Sequence, residues 1–351
     1  LSGGTSIMAI IDKPSNFFDT SLWTANGSAK TISGVGFQPD LLWAKCRSNT
    51  YSHIWVDSVR GITKQISSNT DALETTNAQG VTAFNSEGYV LGTQNEFANN
   101  GNTFVGWSWK AGTSVSGNTS GSGAAKAYTG SVNTDAGFSI IRYLGNDSAG
   151  HTIPHHLGAV PKMIIGHGLT GSDTTSWTVY HHALGNTKTI SLNETAAAST
   201  SSVWNDTTPT SSVVSLGSSG NVNDEDDAFI LYSFAEKTGF NKFGSYIGNG
   251  DANGTFVYTG FKPAFVMIKS SSNAGQAWVM QDNKRDGFNY NNHRLFANSS
   301  ATEESTVRMD LLSNGFKCRD NDGNGNGFTY IFMAFAENPF VASNFVPTTA
   351  R

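Results

Sequence analysis

The chain has 351 residues, long enough for two or three domains that each bury a core. Charged residues make up only 14%, against about 25% in ordinary soluble domains, and Gly, Ser, Thr and Asn are abundant throughout. The 22 Lys and Arg residues are outnumbered by 27 acidic ones and form no basic run, which argues against nucleic acid as a partner.

In chain order, residues 1–7 are small and polar and carry neither a basic start nor an apolar stretch, so no Sec signal peptide is expected there. Met8-Ala9-Ile10-Ile11-Asp12 reads as a start, and residues 1–17 are expected to form an N-terminal arm. A first strand-rich unit follows over 18–111. It opens with Trp23 before an Asn26-Gly27 turn and continues with Gly36, Pro39 and the apolar strand Leu41-Leu42-Trp43-Ala44-Lys45. Trp55 and Thr63-Lys64-Gln65-Ile66-Ser67 come next, and Phe104-Val105-Gly106-Trp107-Ser108-Trp109 closes the unit. Residues 112–136 are rich in Gly, Ser and Thr and read as a flexible or surface linker.

The same order recurs over 137–239 and 240–340. Gly158 and Pro161 precede Met163-Ile164-Ile165, and Gly260 and Pro263 precede Phe265-Val266-Met267-Ile268. Trp177 and Trp278 follow the anchoring Pro at nearly the spacing of Trp55, so the three are expected to be equivalent, buried residues. Phe229 to Phe234 and Tyr330 to Phe335 close the two units, and 341–351 is a C-terminal tail. The strands are short, rich in β-branched and aromatic residues, and bounded by Gly, Asn, Asp or Pro. This predicts an all-β protein of three tandem antiparallel β-sandwich, jelly-roll-like domains related by internal repetition. Apolar runs such as 264–268 and 331–335 are far shorter than the roughly 18 residues of a membrane span, so no membrane insertion is expected.

Gly36-Phe37-Gln38-Pro39-Asp40, the run 53–61 containing Asp57-Ser58-Val59-Arg60-Gly61, and Phe234-Ala235-Glu236 are joined by Phe243-Gly244-Ser245-Tyr246 and Phe256-Val257-Tyr258-Thr259-Gly260-Phe261. Together these resemble a family of tailed-phage proteins, common in marine and cyanobacterial phages and labelled tail-fibre-like or of unknown function. The resemblance runs from Met8 to Arg351. It implies a virion structural protein on the particle surface, in several copies, with other capsid or tail proteins as partners and a host surface glycan as a further candidate. Tail fibre, tail tip and capsid decoration stay open, and no family site residues carry over. The alternative is a glycan-binding or depolymerase-type enzyme of the phage tail.

Candidate chemistry is sparse. Six histidines, His151, His155, His156, His167, His181 and His182, fall close together and could ligate a metal. No Cys or paired carboxylate completes a shell, however, and His167 takes a place held by Lys45 and Lys269. Asp320-Asn321-Asp322-Gly323-Asn324-Gly325 imitates the start of a calcium loop, but Ile331 stands where the bidentate Glu belongs. The acidic run Asp224-Glu225-Asp226-Asp227 is a similar outside candidate. There is no nucleophile elbow, and Cys46 and Cys318 lie far apart without a metal or redox spacing. The expectation is a non-enzyme with no catalytic, cofactor-binding or metal-ligating residues assigned.

Overall fold

The computed structural model describes residues 10–341 apart from 173, 306–308 and 322. Among these residues helix is confined to a 3-10 turn, Pro14–Asn16, and two single turns, Asn95–Ala98 and Gly220–Asn223; the chain is otherwise an all-β, antiparallel protein.

Three main sheets share one strand order. An opening strand (Phe18–Thr24, Phe138–Leu144 or Asn241–Ile247) pairs with a closing strand (Thr103–Trp109, Ala228–Ala235 or Thr329–Pro339). The closing strand pairs in turn with an anchor strand (Leu41–Cys46, Pro161–Gly168 or Phe261–Ser270), and that with an inner strand (Ile54–Asp57, Thr178–His181 or Val279–Asp282). Gly36, Gly158 and Gly260, three residues before each anchoring Pro, have φ of 82°, 67° and 81°. That left-handed turn into the strand is open to Gly at little steric cost, which accounts for the recurring spacing. A small second sheet covers one face of each main sheet: Lys30–Ser33, Gly88–Leu91 and Val81–Asn85 in the first unit, and Phe256–Tyr258, Gly315–Cys318 and Met309–Leu312 in the third. In the second unit it is Ser120–Gly121, His151–Pro154 and Val213–Leu216.

The other face of each main sheet is also dry. Along the first anchor strand, Leu42, Ala44 and Cys46 face the unit's own core, whereas Leu41 and Trp43 face a central cluster. Met163 and Ile165 from the second unit and Phe265 and Met267 from the third enter the same cluster. Anchor strands buried on both faces must be apolar at consecutive positions, which is how these segments read. The expected separate domain cores are therefore supplemented by a core common to all three units, built around Trp43, Trp55, Trp107, Trp109, Tyr232 and Phe335.

The contacts around that core close into a ring. Backbone N–H groups of Glu74, Ala198 and Glu303 donate to the carbonyls of Leu169, Ser271 and Arg47 at 3.3, 3.0 and 2.8 Å. Each links a loop of one unit to the end of the next anchor strand, and the third returns from unit three to unit one. Arg47 seals this last seam with a two-pronged ion pair to Glu303 at 2.8 and 2.9 Å. Such head-to-tail contacts close when the rotation between neighbours is a third of a turn.

Two sequence expectations are corrected. Trp55 is not the counterpart of Trp177 and Trp278. Trp55 pairs with Trp43 as Val179 pairs with Ile165 and Met280 with Met267, whereas His53 matches the two tryptophans. The backbone N–H groups of His53, Trp177 and Trp278 all donate to an Asn side chain, Asn69, Asn193 or Asn298. Loops of unequal length before the inner strand misled the count from Pro. All three tryptophans are nonetheless fully buried. Secondly, 112–136 does run over the surface, but as paired strands and not as a linker: Thr113–Asn118, almost wholly exposed, and Ala127–Asn133 form a hairpin that extends the second main sheet from its opening strand. The described part of the N-terminal arm packs on neighbouring units of its own chain. Ile11 N donates to Thr238 O at 3.1 Å, and the Phe17 ring meets Phe240 edge-on at 5.8 Å. The tail from 342 onward lies outside the described residues.

A shared core makes the three units one folding unit. Urea unfolding monitored by tryptophan fluorescence and by circular dichroism should give one coincident transition, and a fragment of residues 137–239 alone should not fold. Trp177→Ala should lower global stability by about 3–5 kcal/mol. Separate transitions for the units would contradict this account.

Candidate functional site

The ring is held by polar pairs as well as by the aromatic core, and these consume most of the candidate chemical groups. Trp177 Nε1 donates to Ser67 O at 3.0 Å and Trp278 Nε1 to Ser191 O at 2.9 Å, each reaching back to the preceding unit. In the first unit the equivalent His53 accepts from Trp43 Nε1 at 2.8 Å, and its ring lies by the Phe296 carbonyl without strict hydrogen-bond geometry for Nε2. Lys45, fully buried, donates to Cys46 O and Asn49 O. Lys269 similarly donates to Thr195 O and Gln276 O. Burial pulls both ammonium groups down to about 8.

The structure does not converge the six histidines. His167 stacks on Trp177, with ring centres 4.4 Å apart, and donates to Ala72 O. His181 and His182 reach the Phe332 and Phe243 carbonyls of the third unit, His155 reaches Thr210 O, and His156 meets Tyr128 Oη. Among the described residues there is no group of three or more His, Cys, Asp and Glu able to hold a metal ion. Burial depresses His155 and His167 to about 4 and His181 to about 3, so these rings are neutral hydrogen-bonding parts of the scaffold near pH 7.

The loop candidates are likewise engaged. Asn324 is fully buried. Its Oδ1 accepts from Asn249 N and its Nδ2 donates to Asn249 Oδ1 and Asp251 O, tying the loop to the turn after the opening strand. Asp322 lies outside the described residues. Lys126 clamps Glu225 and Asp226 at 2.5 and 2.6 Å. Both cysteines are free and buried.

One constellation escaped sequence reading because its members are distant in the chain. Thr119 Oγ1 lies 2.6 Å from His151 Nε2, and His151 Nδ1 lies 2.8 Å from Asn223 Oδ1. This is the order hydroxyl, imidazole, orienting amide used in nucleophilic catalysis. Exposures of 3%, 0% and 0% leave no approach for a substrate carbonyl, and Thr119 Oγ1 also accepts from Lys126 N. The three residues fasten the hairpin to the second unit.

An open cleft of about 500 Å³ lies where the hairpin meets the first unit. Gln38, Asp40, Ser58, Ser114, Ser116 and Thr129 line it. Burial raises Asp40, while three donors work against this: Ser58 Oγ at 2.7 Å, Ala111 N at 2.9 Å and Ser131 Oγ at 3.2 Å. Its Ser114, Ser116 and Thr129 side chains give the cleft hydroxyls that can hydrogen-bond a hydroxylated ligand. The corresponding place between units three and one is smaller, about 100 Å³, beside Asp19, Asn283, Lys284 and Glu337. Burial pushes Asp19 up to about 6 there, against the pull of Lys284.

Residues 13–339 match the family described as a domain of unknown function (DUF7483), and the chain belongs to that family. No curated protein matches it.

The depressed histidines give a pH dependence with a defined sign. An unfolded His titrates near 6.5, so between pH 6.5 and about 4 the unfolded chain binds more protons and stability falls as the pH falls. His155 and His167 each contribute on the order of 3 kcal/mol over that window, and Asp19, raised to about 6, partly opposes them. The urea midpoint should drop between pH 7 and pH 4.5, and His167→Gln should reduce the drop. An unchanged slope in that variant would show that His167 does not titrate on unfolding.

Proposed function

We propose that the chain is a non-enzymatic structural protein of a tailed-phage particle, carried on the virion surface as a tail-fibre, attachment or capsid-decorating component. One observation carries the reading most: three sandwiches closed into a ring around a common aromatic core, with the buried histidines and the Asp40 carboxylate spent on internal bonds. Such a body suits load-bearing and display, because its loops project from a scaffold that cannot open one unit at a time. The resemblance in the motifs around Pro39, Asp57 and Phe256 supplies the particle context. Its partners are other capsid or tail subunits, and a host surface glycan is a further candidate.

The alternative of a glycan-binding or glycan-degrading tail protein draws on the hydroxyl-lined cleft at Asp40. Mass spectrometry of gradient-purified particles should find the chain at a stoichiometry of several copies, and antibody-gold labelling of intact particles should place it on their surface. The purified protein should release no sugar from host surface polysaccharide. Absence from purified particles would overturn the structural reading, and glycan cleavage lost in Asp40→Asn would favour the alternative.

A further inference from the structure

The exposed Phe, Tyr and Trp side chains among the described residues, Phe256, Tyr258, Phe288 and Tyr290, all belong to the third unit, at 44, 58, 81 and 58% exposure. Its small second sheet sets their places. Along Phe256–Tyr258 the middle residue, Val257, enters the unit's core, so Phe256 and Tyr258 stand side by side on the outer face, about 7 Å apart along the strand. Phe316 and Cys318 on the next strand and Met309 and Leu311 on the third also face that core, which leaves Lys317 and Asp310 on the outer face.

Across successive strands the outer row reads Phe256, Lys317, Asp310. A loop extends it. Asn291 N and O bond to Met309 O and N at 2.8 Å each. Asn289 Nδ2 donates to Leu311 O at 3.1 Å and its Oδ1 accepts from Leu311 N at 3.0 Å, so the intervening Tyr290 lies beside Asp310. Arg319 joins the two: its Nε donates to Asp310 Oδ2 at 2.6 Å, and its guanidinium carbon lies 5.7 Å from the centre of the Tyr290 ring. Three strand spacings separate Phe256 from Tyr290, which makes a platform of about 14 Å with an aromatic at each end.

The fold itself does not require these rings. Val257 pairs with Phe316 as Ile32 pairs with Tyr89 and Ile153 with Val214, so Phe256 and Tyr258 take the places of Thr31 and Ser33 in the first unit and of Thr152 and Pro154 in the second. The loop with Phe288 and Tyr290 is likewise an addition: Arg285 to Leu295 corresponds to the shorter Arg60 to Ile66 of the first unit. Rings held in water where Thr, Ser and Pro suffice gain apolar stabilisation only when a ligand covers them.

The surroundings select that ligand. At about 200 Å² per aromatic side chain the exposed rings offer roughly 500 Å², within the range of functional patches but short of the ~800 Å² that each partner gives a stable protein interface. The cations between the rings are engaged, Lys317 Nζ with Asn253 Oδ1 at 2.6 Å and Arg319 with Asp310, so no unpaired charge recommends an anion. An ammonium has three donors and a guanidinium five, which leaves several for hydroxyls. A neutral sugar chain meets these terms, because the C–H faces of its rings suit electron-rich aromatic faces while its hydroxyls take the remaining donors.

We infer that the outer face of the third unit's small sheet binds a neutral oligosaccharide, its sugar rings stacking on Phe256, Tyr258 and Tyr290 and its hydroxyls meeting Lys317 and Arg319. The site rests on the glycan partner named in the proposed function, and it lies on a different unit from the cleft at Asp40.

Affinity electrophoresis of the full chain through gels containing dextran, laminarin, galactomannan or xyloglucan tests it. At least one of these neutral polysaccharides should retard the chain. Phe256→Thr with Tyr258→Ser, which installs the side chains that the first unit has at those positions, should weaken the binding at least about tenfold while thermal melting matches the parent. Tyr290→Ala should weaken it as well, and Leu22→Ser, at an exposed position of the first unit, should leave it unchanged. Retardation that persists in the double variant would overturn the inference by placing the sugar elsewhere, the Asp40 cleft included. Passage through all four gels without retardation would also overturn it, whereas the presence of that same chain in purified particles would leave the structural reading standing. Binding of oligothymidylate in place of polysaccharide, falling steeply with salt, would assign the rings to single-stranded nucleic acid and equally overturn the inference.

Discussion

The architecture depends on burying the inward face of each main sheet against the other two. Trp55 packs on Trp177 of the second unit at 5.0 Å and on Tyr232 at 4.9 Å, while Trp107 meets Phe265 of the third at 5.7 Å. Phe335 touches Phe18, Trp109, Phe234 and Phe243, joining all three units through one ring. Aromatic contacts of this kind add to the large apolar area removed from water. With this face exposed, each sandwich would present a broad apolar patch, so the units cannot be stable in isolation and the loops at the seams are held by a core they did not create.

Polar groups at the edge of that core show how a ring tolerates divergence between copies. Tyr232 Oη of the second unit donates to Asp57 of the first at 2.7 Å, and Trp107 Nε1 of the first donates to Asp282 of the third at 3.1 Å. The residue matching these donors in the third unit is Met333, which has no proton to give, and its acceptor position in the second unit is His181 in place of Asp. His181 instead donates to the Phe332 carbonyl at 3.1 Å. Asp57 and Asp282 are also paired with Arg60 and Arg285 in fully buried ion pairs, whereas the second unit, lacking the carboxylate, has Leu184 packed near the core. An Arg left there without its Asp would be a buried unpaired charge, which costs several kcal/mol, so donor, acceptor and counter-ion change together.

The same economy explains why several residues with catalytic potential are engaged in internal bonds. A buried His, Asp or Thr must find partners or pay desolvation, and here the nearest partners are carbonyls and amides of a neighbouring unit. His151 with Thr119 and Asn223 has the connectivity of a catalytic triad and the environment of a rivet. What remains open to solvent is shape: clefts at the seams, projecting loops, and sheet edges to which the hairpin adds strands in one unit alone.

Much of the fold was legible in the sequence because its signals are local. The Gly-x-x-Pro anchors mark a backbone turn with positive φ, and the closing strands show β-branched and aromatic residues in runs bounded by turns. Trp55 looks equivalent to Trp177 and Trp278 in the sequence because loop length shifts between copies while strand register does not, and the true counterpart, His53, is a different residue type. The strands at 113–118 and 127–133 were read as linker because Ser, Thr and Gly carry little apolar pattern, and their order comes from pairing with Phe138–Leu144. Strands, turns and the threefold recurrence are properties of neighbouring residues and so are written locally in the chain. That consecutive apolar residues on the anchor strands face two different cores, and that the last unit returns to the first through Glu303 and Arg47, emerges on folding, because burial on a second face and closure of a ring depend on residues hundreds of positions apart.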